Sequence, residues 1–297
     1  MDATACALTS RGAKQGSGAM AGDVVRAHVI TGGYPVGSHA GHDHDYVRVQ
    51  ALSALQQDER VHASVSNDFT DIEKWLPGCD FLFTYVAGPY AEGDENEALR
   101  GWLEDGGRWL GIHGTAGGRT KRVGEARRKQ MVRTPYHETL GAFFLNHEPV
   151  RRFEVQVTRG HPLTQGLPEA FLTQDEPYQV EVLDPAHTQV LLTNRLGPDA
   201  SPPGFGFVYD RDTSLHADAE TRTLGYVRQV GRGEVAYFAL GHTHTPSTNV
   251  QPFVHESVDP EGRTPLRFRG SWEVDAFRQL FQNGIQWGIG AEDSAPA

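Results

Sequence analysis

The stretch GRWLGIHGTAGG, residues 107–118, decides how the rest of the chain is read. An apolar strand, RWLGIH (108–113), runs into glycine and presents one imidazole, His113, between Gly111 and Gly114. Small neighbours let the backbone bend sharply, and a side chain at such a bend stands at the top of a sheet, as in a nucleophile elbow. Cysteine or serine there would point to acyl transfer. Histidine can act as acid or base, hydrogen-bond a polar ligand, or bind a metal. The bland alternative is a histidine that caps backbone groups where a strand ends.

Upstream, VVRAHVIT (24–31) is valine-rich strand sequence stopped by Gly32-Gly33. DYVRVQALSAL (45–55) spaces Tyr46, Val49, Leu52 and Leu55 as a helix does, and VHASVS (61–66) reads as a second strand. DFLFTYVA (80–87) is a continuous apolar run of strand length, the pattern of a strand covered on both faces. ENEALRGWLEDG (95–106) is a helix closed by Gly106. Strands alternating with helices predict a parallel sheet covered on both faces. Such sheets bind ligands beyond the carboxyl ends of their strands, which groups Gly32–Tyr34, Ala87–Tyr90 and His113–Thr115.

Downstream, the basic segment 117–133 reads as a solvated loop or short helix, with phosphate binding as its functional alternative. VRRFEVQVT (150–158), QVEVL (179–183) and TQVLLT (188–193) are strands, and GHPLTQGLPEAF (160–171) is a turn-rich connection. TLGYVRQVGRGEVAYFALGH (223–242) is a hairpin whose second strand ends Gly241-His242. Residues 243–270, with four prolines, form a long surface loop or lid, and 271–290 an amphipathic closing helix. Residues 1–22 read as a disordered leader and 23–291 as one domain.

Chemistry-bearing residues cluster in four places. His113 and His242 each follow an apolar strand and a glycine; if those strands are parallel neighbours, the imidazoles share one cleft. His244 lies two residues on and is expected to be the more exposed. SHAGHDHDY (38–46) supplies His39, His42 and His44 with Asp43 and Asp45, ligand types that suit zinc or a similar divalent ion, with Asp43 or Asp45 as helix cap in the bland reading. That segment has neither HExxH nor CxxC spacing. TQDEPYQVE (173–181) sets Asp175, Glu176 and Tyr178 before a strand; a carboxylate beside histidines is a candidate general base or sugar ligand, and an acidic turn otherwise. Tyr34, Tyr90 and Trp109 make no clear sugar-stacking platform.

The 297 residues carry a formal net charge of −11, which argues against nucleic acid or an anionic membrane surface as the main partner. The two cysteines, Cys6 and Cys79, make no disulfide framework or metal pair. No run of about 18 apolar residues appears, so a cytoplasmic location is expected.

Taken in order, HDHDYVRVQALSAL, FLFTYVAG, LRGWLEDGGRWLGIHG, GHPLTQGLP with DEPY, GRGEVAYFALGH and FRQLFQNGIQWGIG resemble the ThuA-like family (trehalose utilisation) from about residue 24 to 290. The resemblance implies a three-layer, flavodoxin-like fold similar to class I glutamine amidotransferases, with a mostly parallel sheet and helices on both faces. In those relatives the elbow carries a cysteine nucleophile; here the place holds His113, so glutamine hydrolysis by a thiol is not expected. The family is linked to disaccharide catabolism, in particular of sugars oxidised to the 3-keto form.

The expectation is therefore a carbohydrate enzyme with His113, Glu176 and His242 catalytic and Tyr34, His44, Tyr178 and His244 binding substrate. Its partner is a small carbohydrate, and the chain is compatible with a homo-oligomer. One alternative is a metal-dependent hydrolase drawing ligands from His42, His44, His113 and His242. The other is a non-catalytic sugar-binding or regulatory module.

Overall fold

Apolar runs of strand length lie at the centre of the molecule, and the polar ends of those strands build the site. The computed structural model describes residues 24–33, 35 and 40–291. The expected leader over 1–22, Tyr34 and His39 lie outside the described residues.

In chain order the elements are β1 (Val25–Gly33), α1 (His44–Leu55), β2 (Val61–Ser66), α2 (Ile72–Trp75), β3 (Phe81–Ala87), α3 (Asp94–Glu104) and β4 (Arg108–Ile112). They continue with β5 (Thr120–Val123), β6 (Arg128–Met131), α4 (Pro135–Leu140), β7 (Ala142–His147), β8 (Arg151–Val157), β9 (Ala170–Asp175) and β10 (Tyr178–Val182). The last are β11 (Thr188–Asn194), β12 (Arg222–Val230), β13 (Gly233–Phe238) and α5 (Asp275–Gly288).

The main sheet has the order β2-β1-β3-β4-β13-β12-β11-β8-β9. The pairings β1–β2, β1–β3, β3–β4 and β4–β13 are parallel. β13–β12, β12–β11, β11–β8 and β8–β9 are antiparallel, so only β12 and β8 run against the common direction. The crossover β1–α1–β2 moves one way along the sheet and β3–α3–β4 the other; right-handed connections therefore place their helices on opposite faces. α1 and α5 pack together against β1, β3 and β4, while α3 meets α2, α4 and β13. This is the expected three-layer α/β architecture with a mostly parallel sheet.

Alternation along β4 feeds both layers. Trp109 stacks edge-on with Phe69 and Tyr136, while Leu110 on the other side approaches Gly284 of α5. Each fully buried side chain of this size stabilises the fold by about 1.5–3 kcal/mol. A Cβ at Gly288 would lie 2.2 Å from the ring of Phe81, so glycine is what lets α5 lie this close to the sheet.

Two local expectations need correction. The basic 117–133 segment is neither loop nor helix: β5 and β6 pair as an antiparallel hairpin, Thr120 opposite Met131, turned through Gly124 and Arg127 at positive φ. Its cations remain mostly exposed, because the hairpin stands off the main sheet. In α1 the buried stripe is Val47, Ala51, Ala54 and Leu55, and Val49 is 57% exposed. The two alanines let the helix approach the sheet, a contact that a reading weighted by large apolar residues passes over. Among the described residues no helix is long and apolar enough to cross a membrane.

Candidate active site

β4 and β13 are parallel neighbours, with Ile112 opposite Phe238. Both carboxyl ends therefore open at the same edge, and β9, which runs the same way, brings Asp175 and Glu176 to it.

His113 sits on a left-handed bend with φ +50°. For a residue other than glycine that conformation costs about 1–3 kcal/mol and persists only where the surroundings enforce it. Here they do. A Cβ at Gly114 would lie 2.5 Å from the carbonyl oxygen of Val86, and one at Gly111 would lie 2.8 Å from Thr115 Cγ2. The Tyr237 hydroxyl donates to the His113 carbonyl (2.8 Å), Tyr90 to that of Gly114 (3.0 Å) and Tyr136 to that of Thr115 (2.9 Å). The elbow inferred from GIHG is thus a strained turn fastened by three tyrosines.

The pocket closes around Glu176, which is 3% exposed. Its Oε2 is 3.2 Å from His113 Nε2; its Oε1 is 3.5 Å from His242 Nδ1 and 3.8 Å from His147 Nδ1. Gln251, from the long loop, donates to the same Oε1. His42 completes the group, its ring centroid 5.1 Å from those of both His113 and His242. Half-buried His42, His147 and Gln251 form the outer rim.

Asp175 positions this arrangement. Its buried carboxylate accepts from the backbone N–H groups of Glu176 (2.9 Å), Gly241 (2.8 Å) and His242 (3.0 Å), and from the Ser271 hydroxyl. One carboxylate therefore fastens the end of β9 to the segment that follows β13.

Burial opposes ionisation of Glu176, yet the imidazoles of His147, His242 and His113 hold its carboxyl well below the usual carboxylate range. Burial also works against charge on His113, but the adjoining Glu176 outweighs it and raises this imidazole. Burial, reinforced by the nearby His113, depresses His42 to about 4, and burial drives His242 well below the ordinary value. The proton facing Glu176 accordingly belongs to His113. Tyr178 places its hydroxyl 3.1 Å from His113 Nε2, and burial keeps that hydroxyl protonated.

The family model described as ThuA, trehalose utilisation, matches residues 30–255. The chain belongs to the ThuA family. A ThuA-like protein from Bacteroides uniformis ATCC 8492 is similar over 94% of this chain and 96% of its own, at 16% identity and a TM-score of 0.57. One from Parabacteroides merdae ATCC 43184 is similar over 93% of both chains, at 14% identity and a TM-score of 0.54. A cold-adapted β-galactosidase from Rahnella sp. R3 shares the fold over 93% of this chain but 32% of its own, at 13% identity and a TM-score of 0.50. No curated protein matches by sequence.

Within this ThuA-family chain, His113, Glu176, His242 and Tyr178 come together, with His42 beside them. His244 is fully buried behind His242 rather than exposed, since its Nε2 donates to the Pro265 carbonyl (2.8 Å) and its Nδ1 lies 3.0 Å from His242 Nε2. His44 is buried at the start of α1, with its ring against Tyr85, and is not among the converging ligand atoms. Neither Asp43 nor Asp45 reaches the pocket. Asp43 caps α1 through the Tyr46 N–H and pairs with Arg269, and Asp45 pairs with Arg48. Cys79 is buried at the opposite end of the sheet, where desolvation pushes its thiol up to about 12. Sequence reasoning missed His147 and Gln251, which lie in segments with no strand-glycine-histidine signature, and the positioning role of Asp175.

Proposed function

We propose that this ThuA-family protein is an enzyme of carbohydrate catabolism, acting on a disaccharide or 3-keto-glycoside at the pocket around Glu176. The observation that carries the reading is the meeting of His113, from β4, with Glu176, from β9, at 3.2 Å in a buried pocket. An ionised carboxylate beside a protonated imidazole is the pair that acid–base chemistry requires.

On a 3-keto-glycoside, Glu176 takes the proton from the carbon next to the carbonyl, and the electron pair passes toward the ketone oxygen. The electron pair then returns to form a double bond to the anomeric carbon as the anomeric carbon–oxygen bond breaks, and the glycosidic oxygen leaves with a proton from His113. Tyr178, hydrogen-bonded to His113, keeps the ring in register. The family's description, trehalose utilisation, supports the substrate class.

The test is turnover of 3-keto-disaccharides by wild type, Glu176→Gln and His113→Ala. The expected loss in each variant is about 10²–10⁴-fold. Equal turnover by all three proteins overturns the assignment. Saturable sugar binding without product in the wild type would instead identify a binding module on this fold.

A further inference from the structure

We propose that His42, His113, His242 and Glu176 form a binding site for one divalent transition-metal ion of the zinc class. The inference deepens the reading above and rests on the same pocket: a bound ion would supply the electrophile that the His113 proton supplies in the metal-free pocket.

The imidazole protons are already allotted. His42 Nδ1 donates to the Ala40 carbonyl (2.9 Å), and His113 Nδ1 donates to the Ala239 carbonyl (2.8 Å). His244 gives its Nε2 proton to Pro265, so its Nδ1 is an acceptor and the Nε2 proton of His242 goes to it. Each ring is thus oriented through one nitrogen by a carbonyl, directly or through a second histidine. This is how outer partners orient metal-ligating histidines.

What remains points inward: His42 Nε2, His113 Nε2, His242 Nδ1 and the Glu176 carboxylate. These atoms lie within 4.8 Å of one another. His42 Nε2 and His242 Nδ1 are buried and make no hydrogen bond, although buried polar atoms are nearly always paired. No lysine or arginine among the described residues pairs with Glu176; its ionic partners are the imidazoles. The pocket is therefore rich in lone pairs and short of positive charge.

The spacing suits a small cation. Tetrahedral zinc with ligands at about 2.0–2.1 Å sets them about 3.3–3.5 Å apart. Two of the separations here, from Glu176 to His113 and to His242, are 3.2 and 3.5 Å, and all lie within 4.8 Å. Three imidazoles and one carboxylate are a donor set that zinc and its neighbours accept. Two of the ligand-bearing turns are held at positive φ, His113 itself and the Ala40–Gly41 turn before His42, so backbone strain is spent where the ligands are aimed. The ion takes the place of the proton held between His113 and Glu176.

The experiment uses full-length protein without an affinity tag, stripped with chelator and reloaded with Zn²⁺ or Co²⁺. Bound metal is measured by elemental analysis, and ligation by the visible bands of Co²⁺. One equivalent per chain is expected in wild type and in a variant of the exposed histidine, His62→Ala. Affinity falls at least about tenfold in His242→Ala and Glu176→Gln. Should His242→Ala fail to fold, Glu176→Gln preserves side-chain shape and reads the same site. No bound ion in the wild type, or equal binding by the variants, overturns the site. Zinc binding without action on 3-keto-disaccharides would leave the metal site standing and sink the carbohydrate reading. Turnover by the stripped protein together with no bound ion after reloading would do the reverse.

Discussion

Two buried histidines taken from different regions of the sheet show what separates a structural imidazole from a working one. His28, in β1, is fully buried; its nitrogens lie 2.7 Å from Ser64 Oγ and 2.8 Å from Ser66 Oγ, and its ring stacks on Trp75 at 5.2 Å. His242 is as deeply buried, but its Nδ1 meets only the Glu176 carboxylate at 3.5 Å, without a hydrogen bond. Burial depresses both. Depth and titration therefore do not distinguish them. The hydrogen-bond account does: the edge strand β2 supplies a hydroxyl for each nitrogen of His28, whereas the pocket leaves a lone pair aimed at a carboxylate.

His28 stands at about 4 against an ordinary value of 6.5, so the folded state binds fewer protons than the unfolded chain between those limits. Its contribution is complete above pH 6.5 and is lost as the pH falls through 4, a penalty of about 3 kcal/mol for one such group. Urea unfolding across that window should therefore show a shallower pH dependence in His28→Gln than in wild type. Superimposable profiles would mean that His28 titrates normally and that the two histidines differ in burial after all.

His28→Ala removes the partner of two serine hydroxyls and leaves a cavity, and should lower unfolding free energy by about 2 kcal/mol. It should retain its equivalent of zinc, which would separate the structural histidine from the pocket in one protein. Loss of metal in this variant would break the distinction. The smallest effect belongs to the helix cap beside the pocket. Asp43→Ala removes the N-cap of α1 and a partner of Arg269, and should cost about 1 kcal/mol in denaturant melts. Metal stoichiometry should stay the same, because Asp43 is not among the converging ligand atoms. A fall in stoichiometry would extend the site to the segment it shares with His42.

Much of this architecture was legible because its signals are local. The continuous apolar run of β3, the alternation of strands with helices and the glycine-flanked bends at His113 and His242 are each written within a dozen residues. Glu176 could be singled out beside the histidines for the same reason, as part of an acidic turn before a strand. The basic segment misled because its two strands, paired with each other and bridged only to Val208 among the described residues, stay largely exposed and bury little beyond Met131 to mark them. His244 misled because two residues along the chain past a strand end say nothing about direction. The carbonyl of Pro265, which holds its ring inward, comes from the far side of a long loop. His147 and Gln251 left no local trace; their place at Glu176 depends on the small β7–β10 sheet and on the loop that covers it.

Local pattern alone selects the side chains that stand at the carboxyl ends of the strands, since strand length, apolar pattern and glycine spacing act through neighbouring residues. Which of them meet depends on how the sheet is ordered and packed. β13 lies directly beside β4, whereas β9 is reached only across the antiparallel half of the sheet; Asp175 then fastens its end to the Gly241–His242 backbone. Contacts among residues separated by more than sixty positions follow from sheet order and long-range packing, and these no local pattern encodes.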